Sequence, residues 1–205
     1  MTYHLVIDIE TLGTSSDAMI LEVACVLLPP DEDKVPACYH AFVKYPTGNA
    51  TVDTVQFHNK QTNLFERYFT NQDQHKQMQQ IVSEINLLTE PFKDDIIVWS
   101  WGLDFDLPIL RTSAEYHSCK FLPNIHYRNF RCLRTLVSTL SLPQPSRKQE
   151  GRHEALSDAV YESEVLQEAL SFLESLQTKW EQNNDLTGIS LESKLQQELF
   201  TTKSP

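Results

Sequence analysis

The sequence predicts a mixed α/β layer protein. Three observations point there: a meander of apolar, strand-like runs over the first 43 residues, helical periodicity in most of the remaining chain, and a lone apolar run, Asp95 to Ser100, set between helices. At 205 residues, with 40% hydrophobic content, the chain fits one sizeable domain over residues 1–180. A polar C-terminal extension, residues 181–205, is expected to hold a short helix near Leu191 to Phe200 and a frayed end.

Tyr3 to Ile9 reads as the first strand and Ile20 to Leu28 as the second, ended by Pro29 and Pro30, which cannot continue a central ladder. Gly13 to Asp17 supplies the turn between them. After the acidic loop Asp31 to Lys34, Cys38 to Val43 reads as a third strand, and Gly48 to Thr54 as a polar loop. A helix is predicted from Asn59 to Phe69. A stronger one runs from Asp73 to Leu88, where Met78, Ile81, Val82, Ile85 and Leu88 share a face and Pro91 lies just beyond. Asp95 to Ser100 is a buried strand, and Asp106 to His117 a helix with Pro108 tolerated in its first turn. Asn129 to Leu140 is a further helix, Pro143 to Gly151 a loop, and Ala155 to Leu176 the last long helix.

No apolar stretch approaches the roughly 20 residues of a membrane helix. MTYHLVIDIE lacks the basic start of a signal peptide, so a cytoplasmic location is expected. Cys25, Cys38, Cys119 and Cys132 form no CxxC pair and lack nearby His spacing, which argues against a redox dithiol and a structural zinc site and leaves reduced, mostly packed thiols. A formal charge of −11 argues against a protein that coats long nucleic acids. The basic residues are nevertheless concentrated: Arg128, Arg131, Arg134, Arg147, Lys148 and Arg152 share one segment.

Chemistry-bearing residues fall in three separated places. In HLVIDIET, Asp8 and Glu10 alternate on one strand face, opposite Ile7 and Ile9. Two like charges inside an apolar strand need a cation or hydrogen-bond donors, or else a wet face. In WGLDFDLPIL, a strand end delivers Asp104 and Asp106; either carboxylate fits a site, and Asp106 also fits a helix cap. In GRHEALSDAV, His153 precedes a helix and Asp158 lies just inside it; such a histidine is either solvated or a proton acceptor with a near-neutral pKa. Carboxylates converging from distant positions suit hard divalent cations and phosphodiester chemistry.

Taken together, Asp8-Ile9-Glu10-Thr11, Gly102 to Asp106, and His153 with Asp158 resemble the three exonuclease motifs of the DnaQ-like DEDD superfamily, histidine subgroup. The runs Trp99 to Leu110 and Arg131-Cys-Leu-Arg134-Thr-Leu are similar to phage DexA-type exonucleases and related bacterial 3′-to-5′ exoribonucleases. The resemblance spans roughly residues 3 to 175. It implies a ribonuclease H-like fold, a central mixed sheet flanked by helices, and two divalent cations, Mg²⁺ or Mn²⁺, held by Asp8, Glu10, Asp106 and Asp158. It also implies His153 as general base, and it favours Asp106 over Asp104 because the carboxylate follows Phe105 directly. Gly102 stands where the motif more often has asparagine.

The expected activity is 3′-to-5′ removal of nucleoside 5′-monophosphates from single-stranded DNA or RNA ends. Thr11 and Leu12 would meet the terminal nucleotide, and Arg131, Arg134 or Arg152 phosphate. Phe57, Trp99 and Trp101 would either stack on bases or lie in the core. Two rival readings are a phosphodiesterase of small nucleotides or short oligonucleotides, and a module that grips 3′ ends without cutting.

Overall fold

The protein is seen in a computed structural model that describes residues 2–31, 33–143 and 153–184. The expected loop beyond Pro143, with Arg147, Lys148 and Arg152, and the expected helix near Leu191 to Phe200 lie outside the described residues. Residues up to Leu166 form one compact unit; from Gln167 the described chain is the remainder of the last helix.

A six-stranded mixed sheet organises the first unit. The strands are β1 (Tyr3–Thr11), β2 (Ile20–Leu28), β3 (Ala37–Val43), β4 (His75–Lys76), β5 (Ile96–Ser100) and β6 (Phe130–Cys132), in the spatial order β4-β3-β2-β1-β5-β6. β1 pairs antiparallel with β2 and parallel with β5, so the meander and the crossover units meet along it. The helices are α1 (Val52–Gln61), α2 (Leu64–Thr70), α3 (Met78–Thr89), α4 (Asp106–Tyr116), α5 (Leu133–Leu140) and α6 (Ala155–Asn184). No helix among the described residues is long and apolar enough to cross a membrane.

Alternation along β1 divides its side chains. Leu5, Ile7 and Ile9 enter the main core with Val23 and Cys25 of β2, Val98 of β5, Ile81 and Ile85 of α3, and Leu107 and Leu110 of α4. Asp8 and Glu10 therefore face the other side. Each fully buried aliphatic side chain here contributes about 1.5–3 kcal/mol, which holds β1 in register and fixes which face carries the acids.

The structure departs from the expected boundaries in several places. The predicted helix over Asn59 to Phe69 is two helices, because the Thr62 hydroxyl turns back to the His58 carbonyl at 3.1 Å and accepts from the Leu64 amide at 3.2 Å. The predicted polar loop Gly48 to Thr54 ends early: Thr51 caps α1, its hydroxyl accepting from the Thr54 amide at 3.3 Å. Asp73 to Gln77 is not helical in the α sense; it holds the end of a 3-10 turn and β4, a two-residue edge strand. Residues 130–132 are β6 rather than the start of a helix, a strand too short to show periodicity. The last helix extends past Leu176 to Asn184.

Candidate active site

β1 ends in an irregularity: the register with β2 shifts between Glu10 and Thr11. Such a bulge re-aims side chains at a strand end. Here it lies at the mouth of a cleft of about 920 Å³ lined by Asp8, Glu10, Asp106, His153, Asp158 and Glu162 among others. β5 runs parallel to β1 and hands over to α4 through Trp101 to Phe105. Asp106 consequently enters at the first helical position, 4% exposed; Phe105 occupies the cap position, so Asp106 does not serve as the cap. α6 supplies Asp158 and, one turn on, Glu162, on the same helix face. His153 stands two residues before α6 with φ of 63°, in the left-handed region.

One carboxylate oxygen each from Glu10 and Asp158 and a ring nitrogen of His153 lie within 4.8 Å of one another. Phe57 of α1 meets the His153 ring edge-on, with centroids 5.0 Å apart. His58, buried beside it, has Nε2 at 2.9 Å from the Thr11 carbonyl and 3.9 Å from Glu10 Oε2. Burial lowers the His58 pKa, so this imidazole is neutral and its Nε2–H donates to Thr11, bracing the bulge.

The electrostatics are those of crowded carboxylates. Asp8 has its carboxyl raised well above the ordinary value, by burial first and then by the charges of Glu162, Asp106, Glu10 and Glu22. Asp106 is pushed up to about 7, again by burial, with backbone hydrogen bonds and the nearby Arg134 opposing the shift. Asp8 Oδ2 is sealed from solvent and has no hydrogen-bond partner among the described residues. A buried carboxylate oxygen left in that state is costly, and a divalent cation removes the cost for the whole group. All-oxygen donors with one imidazole at the edge suit Mg²⁺ or Mn²⁺. Asp8, Glu10, Asp106 and Asp158 thus fit the cations that the sequence implies.

The structure brings together Asp8, Glu10, Asp106, His153 and Asp158, with Thr11 and Arg134 also lining the cleft. The Thr11 hydroxyl is engaged, donating to the Gly13 carbonyl at 2.6 Å. Two predicted contacts stand elsewhere. Leu12 is 8% exposed, packs with Leu21, Phe42 and Leu64 in a second core cluster and is not among the residues that line the cleft. Arg131 bonds to the carbonyls of Arg128 and Phe130 outside the cleft lining. Trp99 is buried, whereas Trp101 and Phe57 line the cleft. Asp104 is exposed and does not line it. At Gly102, an added Cβ would stand 3.7 Å from Arg134 Nη2. Sequence reasoning missed Glu162, Tyr161 and His58; of these only Glu162 carried a signal, its four-residue spacing from Asp158.

The family model described as the 3′-5′ exoribonuclease Rv2179c-like domain matches residues 3–170. Among solved structures, E. coli Exonuclease I in complex with a dT13 oligonucleotide aligns with a TM-score of 0.58 and 10% identity, covering 83% of this chain and 41% of that one. The zinc-ion-bound form of the E. coli enzyme with single-stranded DNA gives 0.60 and 11%, covering 83% and 40%. A moderately thermophilic Exonuclease I from Methylocaldum szegediense gives 0.54 and 12%, covering 78% and 38%. The chain spans about two fifths of the length of these structures, and at such identity the likeness shows the fold, a ribonuclease H-like mixed sheet with flanking helices. No curated protein matches the sequence. With its family model matched over most of its length, the chain belongs to the 3′-5′ exoribonuclease Rv2179c-like domain family.

Proposed function

We propose that the enzyme hydrolyses the terminal phosphodiester at the 3′ end of single-stranded nucleic acid and releases nucleoside 5′-monophosphates. Asp8, Glu10, Asp106 and Asp158 would hold two divalent cations, Mg²⁺ or Mn²⁺, and His153 would act as general base. The observation that carries this reading is the meeting of Glu10, Asp158 and His153 within 4.8 Å, beside the unpaired buried oxygen of Asp8. When bound, such cations acidify water and offset charge on the attacking and leaving oxygens.

The protein's own groups supply the rest. His153 accepts the proton of the attacking water through its ring nitrogen, and Phe57 limits the tilt of that ring. Trp101 and Phe57 offer faces for the terminal bases, and Arg134 offers the cleft's guanidinium to phosphate. The family description names an exoribonuclease, which favours RNA, while E. coli Exonuclease I is seen with dT13. The net charge of −11 favours a second reading, hydrolysis of short oligonucleotides in preference to long polymers.

The test is digestion of 5′-labelled RNA and DNA oligonucleotides of graded length with Mg²⁺, Mn²⁺ or EDTA. A metal-dependent ladder receding from the 3′ end, lost in Asp8→Ala and reduced about 10²- to 10⁴-fold in His153→Ala, is expected. Full activity of His153→Ala removes the base role; full activity of Asp8→Ala removes the site. Turnover confined to the shortest substrates establishes the second reading.

A further inference from the structure

One side chain ties the segment that carries His153 to the sheet. Arg67 of α2 is largely buried, its side chain 16% exposed. Its Nη1 and Nη2 donate to Oε1 and Oε2 of Glu22 at 2.7 and 2.9 Å, a fork on a carboxylate. Nη2 also donates to the backbone carbonyl of His153 at 3.3 Å, and Nε lies 3.6 Å from Glu154 Oε1. Asn63 closes the group, accepting from Arg67 Nε at 2.9 Å and donating to Glu154 Oε1 at 3.3 Å.

The other end of this strut is equally fixed. Glu22 is fully buried in β2 and stands directly opposite Glu10 in the β1–β2 ladder. His40 of β3 also holds its Oε1, at 2.7 Å. The guanidinium therefore spans from the sheet position beside Glu10 to the backbone of His153. His153 adopts a left-handed conformation that is uncommon outside glycine, and the Arg67 bond to its carbonyl is a contact that holds this backbone.

We propose that Arg67, locked by Glu22, is a positioning residue for the exonuclease reaction: it fixes the His153 backbone so that the imidazole stays beside Glu10 and Asp158. The inference rests on the reading of His153 as the general base. Lysine cannot take this place, because one ammonium does not reproduce the planar fork that bonds Glu22 and a carbonyl together.

The experiment uses the full chain with Arg67→Lys, alone and combined with His153→Ala, on a labelled single-stranded oligonucleotide with Mn²⁺. Arg67→Lys is expected to lower kcat by about tenfold or more while KM stays within about threefold, as for a misplaced catalytic group. In the His153→Ala background the same change should lower the residual rate by less than about threefold, because the group it positions is gone. The His153 ring resonance, assigned by its loss in His153→Ala, should shift in Arg67→Lys. A fall in kcat below about tenfold, or a further fall above about threefold in the His153→Ala background, overturns the proposal. Should Arg67→Lys fail to fold, the Glu22→Gln/Arg67→Met pair, which removes both buried charges together, replaces it under the same criteria. A fully active His153→Ala would instead overturn the base reading itself, which keeps the two failures apart.

Discussion

Asp106→Asn, measured without cations, probes the electrostatics of the site through folding. The Asp106 carboxyl is raised from its ordinary 3.8 to about 7, by burial first, against backbone hydrogen bonds and Arg134. At a pH below the unfolded value, folded and unfolded chains both carry the proton, and burial costs nothing in charge. Between 3.8 and about 7 the unfolded chain has released the proton while the folded chain retains it, so stability falls as pH rises; above about 7 the deficit is constant. A shift of about three pH units corresponds to on the order of 4 kcal/mol. Asparagine cannot ionise, but its amide nitrogen faces donors that a carboxylate oxygen met, a loss of about 2 kcal/mol. In EDTA the variant should therefore be more stable than the wild type by about 2 kcal/mol at pH 8 and less stable by about 2 kcal/mol at pH 3. At about 2–4 °C per kcal/mol, Tm should rise by about 4–8 °C at pH 8. Adding Mg²⁺ should stabilise the wild type at pH 8 and much less at pH 4, because cations bind the ionised ligands, and should stabilise the variant less. The assay is calorimetric or circular-dichroism melting across this pH range. A Tm difference between the two proteins that does not change with pH would refute the burial argument.

Two further substitutions separate binding from stability. Trp101→Ala in the His153→Ala background should weaken single-stranded oligonucleotide binding by about 1–3 kcal/mol, read by fluorescence anisotropy, if its ring stacks on a base; unchanged affinity removes that role. Leu5→Ala empties a fully buried core position on the face of β1 opposite the acids, so urea unfolding should show a loss of about 2–5 kcal/mol while kcat per folded molecule holds; a stability change under 1 kcal/mol, by the same comparison, would mean that the core closes around the gap.

Legibility from sequence tracked how local the cause was. The alternation that puts Asp8 and Glu10 on one face is a property of a single strand and its buried opposite side, so it could be read without neighbours. Asp106 and Asp158 stand at a strand-to-helix and a loop-to-helix junction, where spacing alone left Asp104 open beside Asp106 and only the resemblance chose between them. Leu12 could not be placed, because the bulge between Glu10 and Thr11 changes the direction of the side chains beyond it, and a register shift shows only when β2 is paired. Arg67 and Glu22 were invisible for a stronger reason. A buried ion pair across 45 residues has no local pattern, and Glu22 reads as a polar interruption of an apolar strand. The short strands β4 and β6 left no signal because two or three residues cannot show a period.

The acidity of the chain and its nuclease fold are reconciled at the cleft. Its lining holds Asp8, Glu10, Asp53, Asp106, Asp158 and Glu162 against Arg134 as the one Arg or Lys among the described lining residues. A phosphate chain approaching this surface without divalent cations meets net repulsion, and burial, joined at Asp8 by the charge of its neighbours, raises the Asp8 and Asp106 carboxyls above their ordinary values. Under the proposed function, the same carboxylates make substrate affinity depend on divalent ions more than on a basic track. Arg131, bonded to the carbonyls of Arg128 and Phe130, is not among the residues that line the cleft. Arg134, the one Arg or Lys among the described lining residues, adds about 0.7 to the steepness of the logarithmic salt dependence when it meets a phosphate of a single strand. Under the proposed function, a site whose described lining is this acidic takes its substrate through the terminal phosphate, where the cations would be held beside His153.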